Sequence, residues 1–258
     1  MDVGPDATRS LGERVVGRIA GGALADLVAV QSRDVVPLGR EANEKLLLAG
    51  AASFVAVGTA SVLLEEMARV REGESLLVHS AAGGVGSALG LLARQLGMAP
   101  RIGVVGSEEK FAGAHAVGYE HVMERQRYSS RVREIVGSAG VDVIADPLGG
   151  SIRREAFDLL APLGRLLAYG RTGTTDEGDL DGFEYRRRSV AFMGMTNGQL
   201  LDAAPALMRR VAERSVERII AGLQVPVACI VPFDSVGEGF SLLAAGATVG
   251  KVVVALPA

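Results

Sequence analysis

From residue 75 onwards, the chain alternates between two patterns of apolar residues. Short apolar runs typical of buried strands are each followed by a stretch in which apolar residues recur every three or four positions, as on one face of a helix. We predict strands at 76–78, 102–105, 122–123, 141–145, 165–169 and 190–194, and helices at about 84–96, 108–117, 131–136, 152–160 and 200–223. This alternation predicts an α/β fold with a doubly wound parallel sheet.

The two ends of the chain follow a different pattern. Short β segments separated by glycine turns are predicted at 13–19, 24–30 and 34–38, followed by helices at 41–52 and 54–69, and the C-terminal end has the pattern of strand 228–232, helix 236–245 and strand 252–256. Strands at this spacing indicate part of a small β-barrel or sandwich, to which the C-terminal elements return. We therefore predict a substrate domain made of residues 1–45 and 224–258, and a sheet domain of residues 46–223. Residues 172–182 are predicted to form a surface loop.

Small residues fill the turn between the first predicted strand of the sheet and its helix. This turn, Ser80–Gly86, has the sequence Ser-Ala-Ala-Gly-Gly-Val-Gly. A glycine turn in this position lets the backbone approach a pyrophosphate, which the helix N-terminus then binds. Because Ala81 stands where the dinucleotide fingerprint has its first glycine, an ordinary strand–helix turn is the alternative.

The next strand–helix unit bears on which dinucleotide would bind. In NAD-binding folds of this kind, an acidic residue ends the second strand and binds the ribose hydroxyls. Here that position holds Gly106 and Ser107, with Lys110 next and Arg125 after the following strand. Small groups and cations suit a ribose 2′-phosphate, so we predict NADPH rather than NADH. The adjacent pair Glu108-Glu109 argues against this unless both carboxylates face solvent.

Composition narrows the function classes. The 258-residue chain is 48% hydrophobic and 22% charged with a net charge of −3, as expected of a globular protein with an ample core. Such a charge gives no reason to expect nucleic acid or an anionic membrane as a partner. The single cysteine, Cys229, excludes an intramolecular disulfide and a multi-cysteine zinc site. We find no signal segment and no apolar run of membrane-spanning length, and therefore expect a cytoplasmic protein.

Two further turns follow predicted strands, Asp146–Gly150 and Tyr169–Arg171. Ligands of doubly wound sheets bind at the carboxyl ends of the strands, so we expect both turns to line the cleft. A helix cap is the alternative role for Asp146. None of the three histidines has metal-ligand spacing, and we interpret His79 as structural. The run Arg186–Arg188 is interpreted as a solvated loop, with contact to an anionic substrate carrier as the alternative.

Taken together, these segments give the chain a family resemblance. It resembles the zinc-independent quinone oxidoreductase branch of the medium-chain dehydrogenase/reductase family, which includes polyketide enoyl reductase domains. The motifs that carry the resemblance are GERVVG (Gly12–Gly17), GGALADLVAV (Gly21–Val30), VGTASVLL (Val57–Leu64), GESLLVHSAAGGVG (Gly73–Gly86), VDVIADPLGG (Val141–Gly150), GRLLAYG (Gly164–Gly170) and GKVVVAL (Gly250–Leu256). The resemblance implies a Rossmann domain between two segments of a GroES-like β-barrel, with NADPH in the cleft. It also implies hydride transfer to the β-carbon of an activated alkene, or to a quinone, on a small-molecule substrate.

The resemblance also implies particular cofactor contacts. Thr59 would lie near the nicotinamide, Ser107 and Lys110 would hold the 2′-phosphate, the strand of Met193 would pass the nicotinamide amide, and Lys251 would help to close the cleft. The full implied set is Thr59, Ala82, Gly83, Gly84, Val85, Gly86, Ser107, Lys110, Arg125, Leu148, Gly170, Arg171, Met193 and Lys251. No catalytic residue is assigned, because no side chain stands out as a general acid, and the zinc ligands of the zinc-binding branch are not present.

Two departures from the family pattern leave a second function open. Ser61 replaces an aromatic residue of the family, and the family's first several dozen residues have no counterpart before Gly12. A shortened barrel would expose strand edges, which we expect a second copy to cover in a homodimer. A relative that kept the fold without the redox chemistry, such as a cyclase, an isomerase or a cofactor-binding protein, is therefore the second interpretation. A purely structural partner protein is the third.

Overall fold

The structure, a computed structural model, describes residues 10–19, 21–170 and 182–256. Its first elements are two short strands, β1 (Val15–Gly17) and β2 (Val35–Pro37), which pair antiparallel. The strand predicted at 24–30 was wrong, because this segment has no strand partner and its Leu27 is 75% exposed. An apolar pattern does not make a strand where no neighbouring strand takes up its backbone N–H and C=O groups.

Helix α1 (Glu44–Ser61) follows and continues as a π-helical segment, Val62–Met67. The two helices predicted here are thus one, and no break occurs at Ser53, whose hydroxyl accepts a hydrogen bond from the backbone N–H of Val225 at 2.9 Å. The expectation that no apolar run is long enough to cross a membrane was wrong, because this 24-residue stretch contains an 18-residue window with a mean hydropathy of 2.0. Because 67% of it is buried inside the protein, it has the character of a core helix.

Six parallel strands and their helices form the centre of the molecule. In chain order these are β3 (Leu76–His79), α2 (Gly84–Gln95), β4 (Arg101–Val105), α3 (Phe111–Ala116), β5 (His121–Glu124), α4 (Tyr128–Val136), β6 (Val141–Asp146), α5 (Gly150–Phe157), β7 (Leu160–Ala168), α6 (Gly182–Arg188) and β8 (Ala191–Gly194). The spatial order of the strands is β5-β4-β3-β6-β7-β8. This is the order of a Rossmann sheet, so the predicted fold class is confirmed. All six carboxyl ends lie at one edge, because every pair in the sheet is parallel.

The helix predicted at 200–223 is divided in two by a proline. Helix α7 (Asn197–Ala203) ends before Ala204, and α8 (Pro205–Ile220) begins at the next residue. Ala204 has φ −138° and ψ 55°, outside the helical region, because the ring of a following proline disfavours the helical conformation. Helix α8 then packs against α1, which places both beside the carboxyl edge of the sheet.

The C-terminal end of the described chain forms strand β9 (Val227–Pro232), helix α9 (Val236–Ala244) and strand β10 (Lys251–Ala255). Strands β9 and β10 pair with each other in parallel, and among the described residues they form a sheet separate from that of β1 and β2. The predicted boundaries of the substrate domain, at 45 and 224, therefore stay a prediction. Gly250, just before β10, forms an isolated bridge with Gly83 in the glycine turn.

Candidate functional site

The glycine turn after β3 is held by close backbone packing. Ser80 has a φ of 58°, and the N–H of Gly83 donates to the Ser80 carbonyl at 2.9 Å. A Cβ at Gly86 would lie 2.2 Å from that same carbonyl oxygen and 2.7 Å from the carbonyl oxygen of Ala81. Only glycine fits at Gly86, because the atoms that a side chain would meet belong to the backbone and cannot move aside.

Helix α2 starts from this turn with an open N-terminus. Its first backbone hydrogen bond runs from the N–H of Ser87 to the carbonyl of Gly83, at 2.8 Å. The N–H groups of Val85 and Gly86 precede that bond, no described side chain caps the helix, and its first turn contains no acidic residue. Unpaired N–H groups and the positive end of the helix dipole make this a favourable place for an anion.

The C-terminal end of the chain brings a cation to the same turn. The N–H of Gly250 donates to the carbonyl of Ala82 at 2.7 Å. The side chain of Lys251 lies over Gly84, where a Cβ would be 2.6 Å from the lysine Cδ. The described residues thus bring Lys251 together with the glycine turn and increase the positive potential there.

The turn after β6 is built around a buried carboxylate. Asp146 accepts hydrogen bonds from the N–H groups of Leu148 and Gly149 at 3.0 and 3.1 Å. Its oxygens also lie 2.9 Å from Nδ1 of His79 and 2.7 Å from Nε of Arg153. All three side chains are 0% exposed. Burial raises the pKa of Asp146, but the contacts with His79, Arg153 and the Leu148 N–H outweigh it and lower the pKa to about 2.

His79 joins this network to the glycine turn. It is the last residue of β3, next to the last residue of β6, and its ring meets the ring of Tyr128 edge-on at 5.0 Å. Its Nε2 is buried without a hydrogen-bond partner among the described residues. Sequence reasoning missed Arg153, because its contact with Asp146 depends on how α5 packs under the sheet. The available signal was an arginine among the apolar residues of the buried face of α5.

On this side of the cleft, the predicted cofactor-binding residues have different surroundings, and one of them lies outside the described residues. Leu148 is 5% exposed, and its N–H is already used by Asp146. Gly170 packs against Pro147, because a Cβ added at Gly170 would lie 3.1 Å from the Cβ of Pro147. Met193 lies in β8, paired with Leu167, and is partly buried against the core. Arg171 and most of the predicted loop 172–182 lie outside the described residues.

On the opposite side, Ser107, Lys110 and Arg125 are close to the end of β4. The N–H of Arg125 donates to the carbonyl of Val105 at 3.0 Å. The Lys110 ammonium donates to the carbonyl of Gly246 at 2.5 Å. The hydroxyl of Ser107 is hydrogen-bonded to Glu109 and lowers the pKa of that fully exposed carboxyl group. An acid thus competes for the serine that the resemblance assigns to the 2′-phosphate.

Thr59, on α1, has a partner that sequence reasoning missed. Its hydroxyl donates to the carbonyl of Val55 at 2.7 Å and accepts from Nδ2 of Asn197 at 2.9 Å. Asn197 is the first residue of α7, directly after the carboxyl end of β8. Two residues further along α1, the Ser61 hydroxyl accepts from Arg218 at 2.7 Å, so it is part of the contact between α1 and α8. No sequence motif signals the pairing of Thr59 with Asn197, since the two residues are brought together only by the fold.

The arginine run 186–188 lies on helix α6, so the predicted loop was wrong, whereas the predicted exposure to solvent is confirmed for Arg186 and Arg187. Arg187 pairs with Glu184 at 2.7 Å, and Arg188 donates to the carbonyls of Phe157 and Leu160 at 2.9 and 3.2 Å. The two bonds from Arg188 hold α6 against the end of α5 and the first residue of β7. Among the described residues, no group of three or more His, Cys, Asp or Glu side chains is arranged to hold a metal ion.

Comparison with known proteins identifies a family and several proteins to which the chain is similar. The family profile described as zinc-binding dehydrogenase matches residues 84–213. The chain is 30% identical over 243 residues to highly-reducing polyketide synthase 1 of Aureobasidium melanogenum, across 91% of this chain and 11% of the synthase. It is 32% identical over 209 residues to the 2-haloacrylate reductase of a Burkholderia species, across 76% of this chain and 60% of the reductase.

Solved structures agree with the fold. The quinone oxidoreductase of Thermus thermophilus, solved also as its complex with NADPH, is 26% identical with a TM-score of 0.80. That comparison covers 95% of this chain and 78% of the quinone oxidoreductase. The chain thus spans only part of the length of the relatives that it matches.

Proposed function

The chain belongs to the zinc-binding dehydrogenase family of medium-chain dehydrogenases and reductases, and we propose that it works as an NADPH-dependent reductase. Its acceptor is an activated alkene, in an enone or enoyl thioester, or a quinone. The relatives named polyketide synthase, 2-haloacrylate reductase and quinone oxidoreductase support this class of acceptor. The predicted family resemblance is thereby confirmed.

The observation that carries the proposal is the open N-terminus of α2. A strand, a turn in which Gly86 admits no side chain, and an uncapped helix come together with Lys251 at the carboxyl edge of a Rossmann sheet. This donor set fits a pyrophosphate, which carries negative charge and accepts hydrogen bonds from backbone N–H groups. When bound, NADPH supplies a hydride. The acceptor then gains that hydride on its β-carbon and a proton on its α-carbon.

The proposed roles follow the order of the strands. Residues 82–86 and Lys251 bind the pyrophosphate, and Ser107, Lys110 and Arg125 bind the adenosine side beyond β4. Gly170, Arg171, Met193 and Thr59 contact the nicotinamide side over β6, β7 and β8. Leu148 contributes its apolar side chain, since its N–H is already bonded to Asp146. The carboxylate of Glu109 repels a phosphate and competes for the Ser107 hydroxyl, and it therefore reduces the preference for NADPH over NADH.

A titration of NADPH and of NADH, with Lys110→Ala as the variant, tests the cofactor. We expect wild type to bind NADPH more tightly than NADH. Lys110→Ala is expected to lose about 1–2 kcal/mol of NADPH binding, as for a charge-assisted phosphate contact, and little of NADH binding. Lys45→Ala, an exposed lysine on α1, is the matched control and should leave both affinities unchanged. Equal loss for both cofactors would remove Lys110 from the 2′-phosphate site.

A turnover assay tests the reaction. NADPH oxidation is followed spectroscopically with a panel of quinones, enones and enoyl thioesters, and we expect activity that scales with the concentration of NADPH and of one acceptor class. A protein that binds NADPH but oxidises it with no member of the panel would instead favour the non-redox relative. A protein that binds neither nicotinamide cofactor contradicts the proposal as a whole.

A further inference from the structure

A cavity of about 730 Å³ opens beside Thr59. Its walls come from α1, from α7 and α8, and from the segment between residues 18 and 36. Most of the lining is apolar and includes Val36, Phe54, Val55, Leu201, Met208 and Val211. Cavities of this size and character hold small organic ligands, whose orientation is set by a few polar groups among apolar walls.

The position of the cavity relates it to the proposed cofactor site, so the inference rests on the proposed function. With the pyrophosphate at the glycine turn and the adenosine side over β4 and β5, the nicotinamide side extends over β6, β7 and β8. The cavity adjoins that side, because Asn197 in its wall lies three residues after the end of β8. Met195 lies between β8 and Asn197 in the chain. Its N–H donates to the carbonyl of Ala168 at 2.8 Å and so holds this segment to the sheet.

Asn197 is a polar side chain in the α7 wall of the cavity that retains a donor. The hydroxyl proton of Thr59 goes to Val55, and the oxygen of Thr59 accepts one N–H of the Asn197 amide. An asparagine amide carries two N–H donors, and the described contacts of Asn197 use one of them. The Ser215 hydroxyl, also in the wall, donates to the carbonyl of Val211 at 2.6 Å and is therefore committed within its own helix.

Charged residues line other parts of the cavity: Arg209 is engaged, Arg33 is exposed, and Arg18 is half-buried in the segment opposite α7 and α8. Arg209 donates to Glu213 at 2.6 Å and to the carbonyl of Val35 at 3.1 Å, so it supports the wall. The Arg33 side chain is 77% exposed and lies where the cavity meets solvent. An acceptor inside is therefore surrounded mainly by apolar side chains, with the Asn197 amide at the end near Thr59.

We infer that this cavity holds the acceptor and that Asn197 is a positioning residue for it. The ligand class is an α,β-unsaturated carbonyl compound with an apolar tail, whose carbonyl oxygen accepts the second N–H of Asn197. That hydrogen bond withdraws electron density from the conjugated alkene and stabilises the negative charge that develops on the oxygen as the β-carbon receives a hydride. The hydride would come from NADPH, which would become NADP⁺, and a proton from solvent would add to the α-carbon, so that one hydride and one proton reduce one double bond.

The decisive variant is Asn197→Asp. Aspartate keeps the size of asparagine, and the Thr59 hydroxyl can turn its proton from the Val55 carbonyl to the new carboxylate, so that a hydrogen bond still connects α7 with α1. It has no N–H to offer a carbonyl oxygen. The probe is octanoyl-N-acetylcysteamine, a saturated thioester of the product type, titrated by calorimetry into the protein loaded with NADP⁺. We expect Asn197→Asp to bind it at least tenfold more weakly than wild type, with NADPH affinity and thermal midpoint unchanged.

A second pair of variants tests the cavity itself. Ala212→Leu fills space in the wall, whereas Ala206→Leu adds the same atoms to an exposed position on the same helix. We expect Ala212→Leu to weaken binding of the octanoyl probe more than that of its butanoyl analogue, and Ala206→Leu to change neither.

The outcomes separate this inference from the proposed function. If NADPH binds normally while the octanoyl probe fails to bind wild type, or binds Asn197→Asp and Ala212→Leu as well as wild type, the inference is overturned and the cofactor site stands. If NADPH itself does not bind, the proposed function fails first. Loss of thermal stability in Asn197→Asp with unchanged probe affinity would reduce Asn197 to a structural role and would also overturn the inference.

Discussion

Strands β3 and β6 are neighbours, and each ends in a turn that leads into a helix. The two turns differ in whether a side chain accepts hydrogen bonds from their backbone N–H groups. After β6, Asp146 takes the N–H groups of Leu148 and Gly149 and is itself held by Arg153. After β3, the first turn of α2 has no acid, and no described side chain caps it. The β6 turn is thus complete without a ligand, while the β3 turn is left with N–H groups to offer one.

This difference shows that sheet topology alone does not make an anion site. Both turns lie at the carboxyl edge, both contain glycines, and both precede a helix. A carboxylate at the end of the strand converts one of them into a closed structural element. The residue at the equivalent place in β3 is His79, which turns its ring towards Asp146 and leaves the glycine turn free of acid.

The largest expected effect comes from removing the charge that closes the β6 turn. In Asp146→Asn, the buried guanidinium of Arg153 and the buried N–H groups of the turn lose the charge of the Asp146 carboxylate, and we expect the free energy of unfolding to fall by about 3–5 kcal/mol. Chemical denaturation measures it. Asp158→Asn removes a half-exposed carboxylate that pairs with Arg188 at 3.2 Å, and should cost less than about 1 kcal/mol. Equal losses in the two variants would show that the Asp146 network adds nothing beyond an ordinary surface pair.

The same network predicts a pH dependence. The pKa of Asp146 is about 2 in the folded protein against an ordinary value of 3.8, so folding favours the ionised form. This stabilisation, about 2 kcal/mol, is complete above about pH 5 and is lost as the pH falls from 4 towards 2. Denaturation of wild type and Asp146→Asn over this range is the measurement, and the gap between the two should narrow on acidification. A gap that is constant from pH 6 to pH 2 would contradict the lowered pKa.

What the sequence predicts well is local. The strands and helices of the sheet follow from apolar runs and helical spacing, which depend on neighbouring residues, and the turn at Ser80–Gly86 follows from its small residues. The break at Ala204 also has a local cause, the ring of Pro205, although the apolar spacing alone predicted one helix. In contrast, the strand expected at 24–30 depends on a partner strand that the described chain does not supply.

The parts of the site that sequence reasoning missed depend on distant residues. Asp146 is 67 positions from His79, and Asn197 is 138 positions from Thr59. Such pairs arise from strand order and helix packing, and the local sequence around either residue does not indicate which residue it will contact. The bond between Ser107 and Glu109 is local, but its formation depends on a side-chain conformation that spacing does not determine.

A variant that gives the glycine turn its own acid sharpens the comparison of the two turns. Gly83 is the N-cap of α2 with φ −78° and ψ 176°, a conformation that aspartate also adopts there. In Gly83→Asp, the carboxylate would cap the open N–H groups and repel a pyrophosphate. We expect NADPH to bind at least tenfold more weakly, which corresponds to about 1.4 kcal/mol, while the free energy of unfolding changes by less than about 1 kcal/mol.

Gly83→Asn is the control for size, because it adds the same number of heavy atoms without the charge. A Cβ at this position would lie 3.2 Å from the Ser80 carbonyl, so both variants require the same small adjustment. If the two weaken NADPH binding equally, crowding rather than charge is responsible, and the contrast between an open and a closed turn loses its electrostatic basis.

The smallest expected effect concerns Lys251, the cation that β10 brings to the open turn. Its side chain lies over Gly84 but is exposed, so Lys251→Ala should lower NADPH affinity by about 1 kcal/mol at low salt and by less at high salt, because exposed charges are screened. Lys45→Ala, on α1, should have no effect at either salt concentration. The bond from the Gly250 N–H to Ala82 does not involve the lysine side chain and remains in the variant. Unchanged NADPH affinity at low salt would therefore mean that the C-terminal strand supports the turn through its backbone alone, and that the open helix end attracts the anion without help from a side-chain charge.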